Sequence, residues 1–273
     1  MPNFLGFFKP FSGLGFALFG LTLIPVVIGR AVQEAVPRST EADVDRILTA
    51  LQQRSDGLKD IRCEVSFTDE DRVNLSKNRK NGRILLEVAK PNAHFLVHFD
   101  KTDLDGVRGK QEWYLFDGVA FYQAVERLEQ VTKQMIAGSG QEIDLFDIEK
   151  APFPMPFGQK KENILRNFDV QLVKPTGGDP PDTDHLVCNP KPTSRLARRY
   201  DQLDLFVHRT LNLPKRIIIT KNNGKEINTA DFPDLSEKSI NTGLSRNDFE
   251  KPEAWAKYKE VAEDLVPVGE NVP

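Results

Sequence analysis

Between residues 61 and 231 the chain is written in short runs where apolar and polar residues alternate, and a period of two marks strands with one buried face. About eleven runs carry it: 61 to 68, 83 to 89, 94 to 100, 112 to 116, 119 to 124, 128 to 134, 169 to 173, 185 to 189, 202 to 207, 215 to 220 and 225 to 231. They follow one another at hairpin spacing, without strand and helix taking turns, which excludes a parallel α/β sheet and predicts an antiparallel meander. Asp117-Gly118 and Asn223-Gly224 mark two tight turns, because these dipeptides supply the positive φ that such turns require. A sheet of this size must bury one face, by closing into a barrel or by wrapping around something, and its inside can then hold a ligand.

Helical signals are few. Val44, Ile47, Leu48 and Leu51 recur at the spacing of an amphipathic helix, with Thr40 and Asp43 as a capping box and Gly57 as the stop. Between 137 and 167 the strand rhythm breaks, and the Pro-punctuated run Ala-Pro-Phe-Pro-Met-Pro-Phe at 151 to 157 leads into a short helix ending near Phe168. Residues 175 to 183 read as a loop, and 251 to 262 as a short helix before a tail. No repeat or linker divides the chain, so one domain is expected over 40 to 250, followed by a C-terminal helix and tail over 251 to 273.

The first segment differs from the rest. It holds six of the 18 phenylalanines, at positions 4, 7, 8, 11, 16 and 19, and stays uncharged from Phe11 to Gly29. It ends in Gly29-Arg30-Ala31, with small residues at the positions a signal peptidase reads, so residues 1 to 31 are expected to be an export signal. The alternative is an N-terminal inner-membrane anchor, since this stretch as a helix, at about 1.5 Å per residue, nearly spans a hydrocarbon core. Either way the body is expected outside the cytoplasm. A net charge of −3 argues against wholesale nucleic-acid binding, which needs a basic surface. The two cysteines, Cys63 and Cys188, lie in strand-like runs and read as buried thiols, with a disulfide permitted by an oxidising compartment.

The patterns that carry chemistry are missing or mismatched. His94 and His98 have a zinc-helix spacing, but their segment alternates as a strand, which would hold the rings about 13 Å apart at ~3.3 Å per residue. His185 and His208 sit in no recognisable carboxylate or nucleophile pattern, and there is no nucleophile elbow, zincin motif or phosphate loop. Residues 101 to 112 partly mimic a calcium loop, yet Lys101 stands where the first carboxylate belongs, so a connecting loop is expected. Arg195, Arg198 and Arg199 form a basic cluster that reads as a solvated loop, or else as a dock for an acidic partner or an anionic headgroup. No catalytic residue, metal or cofactor is expected, and the chain reads as a binding module rather than an enzyme.

Several motifs stand in an order that resembles the LolA-like periplasmic lipoprotein carriers, over roughly residues 40 to 250. After the amphipathic helix and the strand 62 to 68 comes Gly82 to Pro91, closing in Lys90-Pro91-Asn92, then Phe116-Asp117-Gly118 with Phe121 and Tyr122 following. Met155-Pro156-Phe157, Leu186 to Lys191, Leu213-Pro214, and Ile240-Asn241-Thr242-Gly243-Leu244 with Phe249 complete the series. The resemblance implies a mainly β fold with flanking helices (α+β), an unclosed antiparallel β-barrel of about eleven strands covered by lid helices. Acyl chains would lie in a cavity formed by Val65, Phe67, Leu86, Phe95, Val97, Phe99 and Trp113, under a lid carrying Phe153, Met155 and Phe157. Lys90 occupies the lid-latch position, where the family usually has arginine, and the family's aromatic three residues after the following Pro falls on His94. Implied partners are lipid or lipoprotein acyl chains, an inner-membrane lipoprotein-releasing transporter and an outer-membrane acceptor, met by a monomeric periplasmic carrier. An envelope-stress sensor of the same fold and a structural envelope protein with a filled barrel are the alternatives; such sensors usually carry a second domain, and the short stretch after residue 250 favours the carrier.

Overall fold

The computed structural model describes residues 41–90, 92–136, 146 and 155–263; the export signal, Thr40 of the capping box and most of the Pro-punctuated run lie outside them. In chain order the elements are α1 (Glu41–Asp56), β1 (Asp60–Asp71), β2 (Ser76–Glu87), β3 (His94–Leu104), β4 (Val107–Arg108), β5 (Glu112–Phe116), β6 (Ala120–Val125) and β7 (Gln130–Met135). Then come α2 (Lys161–Asn167), β8 (Phe168–Val173), β9 (Thr183–Pro190), β10 (Gln202–His208), β11 (Pro214–Lys221), β12 (Glu226–Asp231) and β13 (Lys259–Glu263). Each of the eleven alternating runs is a strand. All thirteen strands join one unclosed sheet in the order β13-β7-β6-β5-β3-β2-β1-β12-β11-β10-β9-β8, with β4 paired to β3.

The chain lays down one half of the sheet outward from β1, moves to the far edge, and returns through β8 to β12 until β12 pairs antiparallel with β1. Asp117-Gly118 and Asn223-Gly224 do form turns, with Gly118 at φ +92 and Gly224 at φ +77. Beyond the alternating run, β1 and β2 continue as a polar hairpin, which the Asp71 carboxylate closes by accepting from the Val73 and Asn74 amides. A bulge separates Asn81 from Gly82 opposite β3, where only glycine fits: a Cβ on Gly82 would stand 1.9 Å from the His98 carbonyl oxygen.

The expected helix over 251 to 262 is not formed. A 3-10 turn, Glu253–Lys257, is followed by β13, which pairs in parallel with β7. The unpaired N–H and C=O groups along β7 capture this segment, a non-local demand that local periodicity does not register.

Three apolar layers hold the sheet. On the inner face α1 presses Val44, Ile47, Leu48 and Leu51 onto Leu186, Cys188, Leu203, Leu205 and Ile219, joined by Ile164 of α2. A second inner layer covers β1, β2, β3, β5 and β6, and Ile217 touches both layers. On the outer face Leu85, Leu96, Trp113, Leu115, Tyr122 and Val131 are roofed by Leu244, Phe249 and Trp255. Both cysteines are free and buried, Cys63 in one inner layer and Cys188 in the other with β12, β11 and β10 between their strands, so the thiol reading holds and the disulfide does not. Burial pushes both thiols well above the ordinary cysteine range, which leaves them protonated.

The stretch Ile240 to Leu244 owes its place to one carboxylate. Asp60, buried at the start of β1, accepts from the Thr242 amide at 2.6 Å, the Thr242 hydroxyl at 2.7 Å and the Gly243 amide at 3.0 Å. In return the Asn241 side chain accepts from the Lys59 amide at 2.7 Å, and Ile61 bridges Ile240. This clasp directs the chain to the outer face, where Leu244 and Phe249 are laid down. Asp60→Ala strands two amides and a hydroxyl and should lower stability by about 3 kcal/mol in urea unfolding; a loss below about 1 kcal/mol would show that the outer roof holds without it.

Candidate functional site

Alternation decides which side chains meet on the inner face of β1 to β6. Ile61, Cys63, Val65 and Phe67 of β1, Ile84 and Leu86 of β2, Phe95, Val97 and Phe99 of β3, Tyr114 and Phe116 of β5, and Phe121 of β6 form one layer. Register aligns them in rows: Leu86 opposite Phe95 opposite Phe116 opposite Phe121, and Ile84 opposite Val97 opposite Tyr114. The rings are in mutual contact, with Phe95 centred 6.1 Å from both Phe116 and Phe121, Phe99 6.1 Å edge-on to Tyr114, and Phe67 6.3 Å from Phe99.

Among the described residues, no helix covers this half of the inner face. Met155 and Phe157 are buried against it and Phe146 packs alongside, all three from the connection between β7 and α2. Phe157 lies 4.8 Å from Phe232, which follows β12. Gly158, at φ +84, makes the turn out of the layer, and a Cβ there would fall 2.3 Å from the Phe146 ring. Gln159 donates to the Met155 carbonyl at 2.9 Å, and the Lys161 amide donates to the Gln52 side chain at 3.1 Å, while the Lys161 ammonium bonds Asp45 and Thr49. The covering segment is thus tied to α1 at one end while its apolar side chains reach over the aromatic layer.

Val65, Phe67, Leu86, Phe95, Val97 and Phe99 lie on this face together with Met155 and Phe157, and Phe153 lies outside the described residues. Trp113 does not belong with them. It packs on the outer face between Trp255 and Tyr258 and stacks on His98 at 4.9 Å. All five residues of β5 are buried because both faces of the strand are covered, so alternation there gives no signal. Tyr114 and Phe116 are the β5 residues that face inward instead, and Ile61, Cys63, Ile84 and Phe121 of the same layer also stand outside the expected set. Lys90 is exposed just beyond β2 and forms no hydrogen bond or ion pair with a described residue. His94 and His98 point outward, bonded to Glu87 and Gln111 respectively. Asp103 and Asp105 of the calcium-like loop are engaged in turns, accepting from the Gly106 and Lys77 amides.

Three polar features escaped the sequence. His185 stands between Asp204, 2.9 Å from Nε2, and Asp179, 3.4 Å from Nδ1, and stacks on Phe206 at 4.1 Å. A cleft of about 350 Å³ lined by Pro190, Ala197, Tyr200, Asp201, Asn223 and Gly224 lies beside the 3-10 turn Arg195–Arg198 and shares no residue with the aromatic layer. The third is inside that layer. Lys80 reaches across β3, over the ring of Phe99, to place its Nζ 2.6 Å from Glu112 Oε2, and the Tyr114 hydroxyl donates to the same oxygen at 2.8 Å. Lys80 is 4 % exposed and Glu112 8 %. Burial and the Glu112 charge push the Tyr114 phenol well above its ordinary range, so it remains a donor.

No family model matches the chain, and no curated protein does. Solved structures similar to it include LolA superfamily proteins. One, from Nitrosomonas europaea, is 13 % identical, with 76 % of this chain and 97 % of that one covered at a TM-score of 0.34. The lipoprotein LppX of Mycobacterium tuberculosis is 10 % identical over 76 % of this chain and 99 % of its own, at 0.40. An uncharacterised conserved protein from Thermus thermophilus is 12 % identical over 81 % of this chain and 99 % of its own, at 0.45.

At the rim of the inner face, burial lowers the Lys221 pKa to about 8, against the opposing pull of Glu226 and Asp69. Between pH 8 and the ordinary lysine range near 10.5 the unfolded chain therefore holds a proton there that the folded chain has released, so this group's contribution to stability rises with pH across that window. The difference in unfolding free energy between wild type and Lys221→Met should change by about 3 kcal/mol at most from pH 7.5 to pH 10.5; a pH-independent difference would place the side chain in contact with water.

Proposed function

We propose that this chain is a carrier which binds the acyl chains of a lipid or lipoprotein on the aromatic inner face of its open sheet. One observation carries the reading: the layer formed by β1, β2, β3, β5 and β6 is covered by Phe146, Met155 and Phe157 of a connection, none of which belongs to a strand pair. Each acyl methylene moved from water into such a layer gains about 0.8 kcal/mol. An acyl chain that displaces the three side chains replaces their burial with its own, so opening and loading balance closely and no covalent step is needed. Binding rather than catalysis is the consequence.

The finer reading follows the motif order of the sequence. The carrier works in the periplasm after export by the segment 1 to 31, receives cargo from an inner-membrane lipoprotein-releasing transporter and gives it to an outer-membrane acceptor. In this reading Lys90 is the latch of the cover, although its ammonium meets no described residue of it in this structure. As the group is exposed, the latch contributes less than about 1 kcal/mol, and Lys90→Leu should speed amide hydrogen exchange over residues 155 to 167 up to a few fold, with Lys90→Arg restoring protection; equal protection in all three would remove Lys90 from the lid. The filled inner face also fits a structural envelope protein. Mass spectrometry of lipids retained by the natively purified protein separates the two readings, since a carrier brings acyl lipids in stoichiometric amount and a filled structural barrel brings none. Phe67→Glu, which sets a second carboxylate beside Phe99 and opposite Lys80 and leaves the buried Lys80–Glu112 group with a surplus negative charge, should abolish binding of a fluorescent acyl probe in protein that still unfolds cooperatively; undiminished binding would exclude the inner face as the site.

A further inference from the structure

Among the described residues the aromatic layer contains one ion pair, Lys80 with Glu112, placed where Phe67 and Phe99 give way to the buried Thr102. Lys80 stands opposite Phe67 on β1, Glu112 opposite Phe99 on β3, and the pair spans β3 between them. A buried pair of this kind is commonly replaceable by apolar residues of similar volume without loss of stability. The Lys80 ammonium has three N–H groups, and among the described residues the one oxygen it meets is Glu112 Oε2. The Glu112 carboxylate is in turn held by the Tyr114 hydroxyl. The result is a fixed set of donors, with no net charge, at the end of the aromatic layer where Thr102 and Gln123 border it.

We infer that Lys80, positioned by Glu112 and Tyr114, is the recognition point for the carbonyl oxygen of an ester- or amide-linked acyl chain, a proposal that rests on the acyl-carrier reading above. Charge bookkeeping selects this class. A fatty-acid carboxylate would bring a full negative charge to a pair already neutral and leave it uncompensated in a low-dielectric site. A hydrocarbon or ether tail would leave the remaining ammonium protons with little to bond. A carbonyl oxygen brings a strong acceptor without charge. The linkage sits where the hydrophilic part of a bound lipid meets its chains, so Lys80 also fixes how deep the chains run along the row from Phe67 and Phe99 toward Phe95 and Phe116. Such a carbonyl is found both in glycerolipids and in the acylated N-terminus of a lipoprotein.

The test compares methyl palmitate, hexadecyl methyl ether and palmitate as competitors of a fluorescent acyl probe, on wild type and on Lys80→Met/Glu112→Leu, which removes both charges together. Wild type should favour the ester over the ether and over palmitate by about tenfold. The double variant should lose that preference while holding the ether within twofold of wild type, which shows at once that it is folded and that its apolar layer is open to ligand. Equal affinity of wild type for ester and ether, or a preference that survives in the variant, overturns the inference and leaves the pair as a register lock between β2 and β5. If wild type binds none of the three, the acyl-carrier reading fails and this one with it. Dipalmitoylglycerol and a dipalmitoyl-S-glyceryl cysteine peptide, each beside its diether counterpart, then distinguish the sources: the one whose ester preference depends on Lys80 supplies the carbonyl, and dependence in neither again overturns the proposal.

Discussion

One sheet of thirteen strands presents more apolar face than the two α-helices among the described residues, of 16 and 7 residues, can cover. Side chains on a strand alternate, so every strand buried on one side still offers the other to something. The chain meets this constraint in three ways. A regular helix with four large aliphatic side chains seals β9, β10 and β11; the C-terminal segment, anchored by Asp60, roofs the outer face; and the connection between β7 and α2 lays Phe146, Met155 and Phe157 over the aromatic half of the inner face. The first two covers are held by backbone geometry and buried hydrogen bonds. The third meets the aromatic layer through Phe146, Met155 and Phe157, which makes it the cover that the proposed ligand would replace.

Most of the architecture was legible because period-two alternation survives wherever one face of a strand is wet or differently covered. Glu112 to Phe116 shows the limit. With both faces buried, parity could not be read from composition, and Trp113 was assigned to the face that Tyr114 and Phe116 occupy. The polar halves of β1 and β2 and the edge strand β13 were likewise invisible, because their pairing is decided by a neighbour's backbone and by turn-closing carboxylates rather than by apolar content. The Ile240 to Leu244 motif was recognised as a pattern, but its reason, a carboxylate some 180 positions earlier, exists in space alone.

Much the same holds for the polar groups within the fold. Lys80 lies in a stretch rich in basic and amide residues, where a sequence reading sees a solvated hairpin. Its strand parity, shared with Ile84 and Leu86, would have pointed it inward, and the pairing across β3 to Glu112 supplies the compensation that lets a charge stay there. His185 gains its two carboxylates in a similar way, one from the neighbouring strand and one from the loop before β9. In both cases the partners come from different elements, and spacing along the chain carries no trace of the contact.

The central position of β1 bears on how such a chain reaches its native state. Synthesised from the N-terminus, β1 emerges early and can pair at once with β2, yet its other edge stays open until β12 appears about 160 residues later, and Asp60 waits longer still for Thr242 and Gly243. Until then the middle of the sheet is an unfinished margin carrying Phe67 and Val65, a template for pairing with the wrong strand or the wrong molecule. Closure of the β1–β12 seam is therefore a long-range step that cannot precede the synthesis of β12, and until then the inner residues of β1 have their partners on one side only.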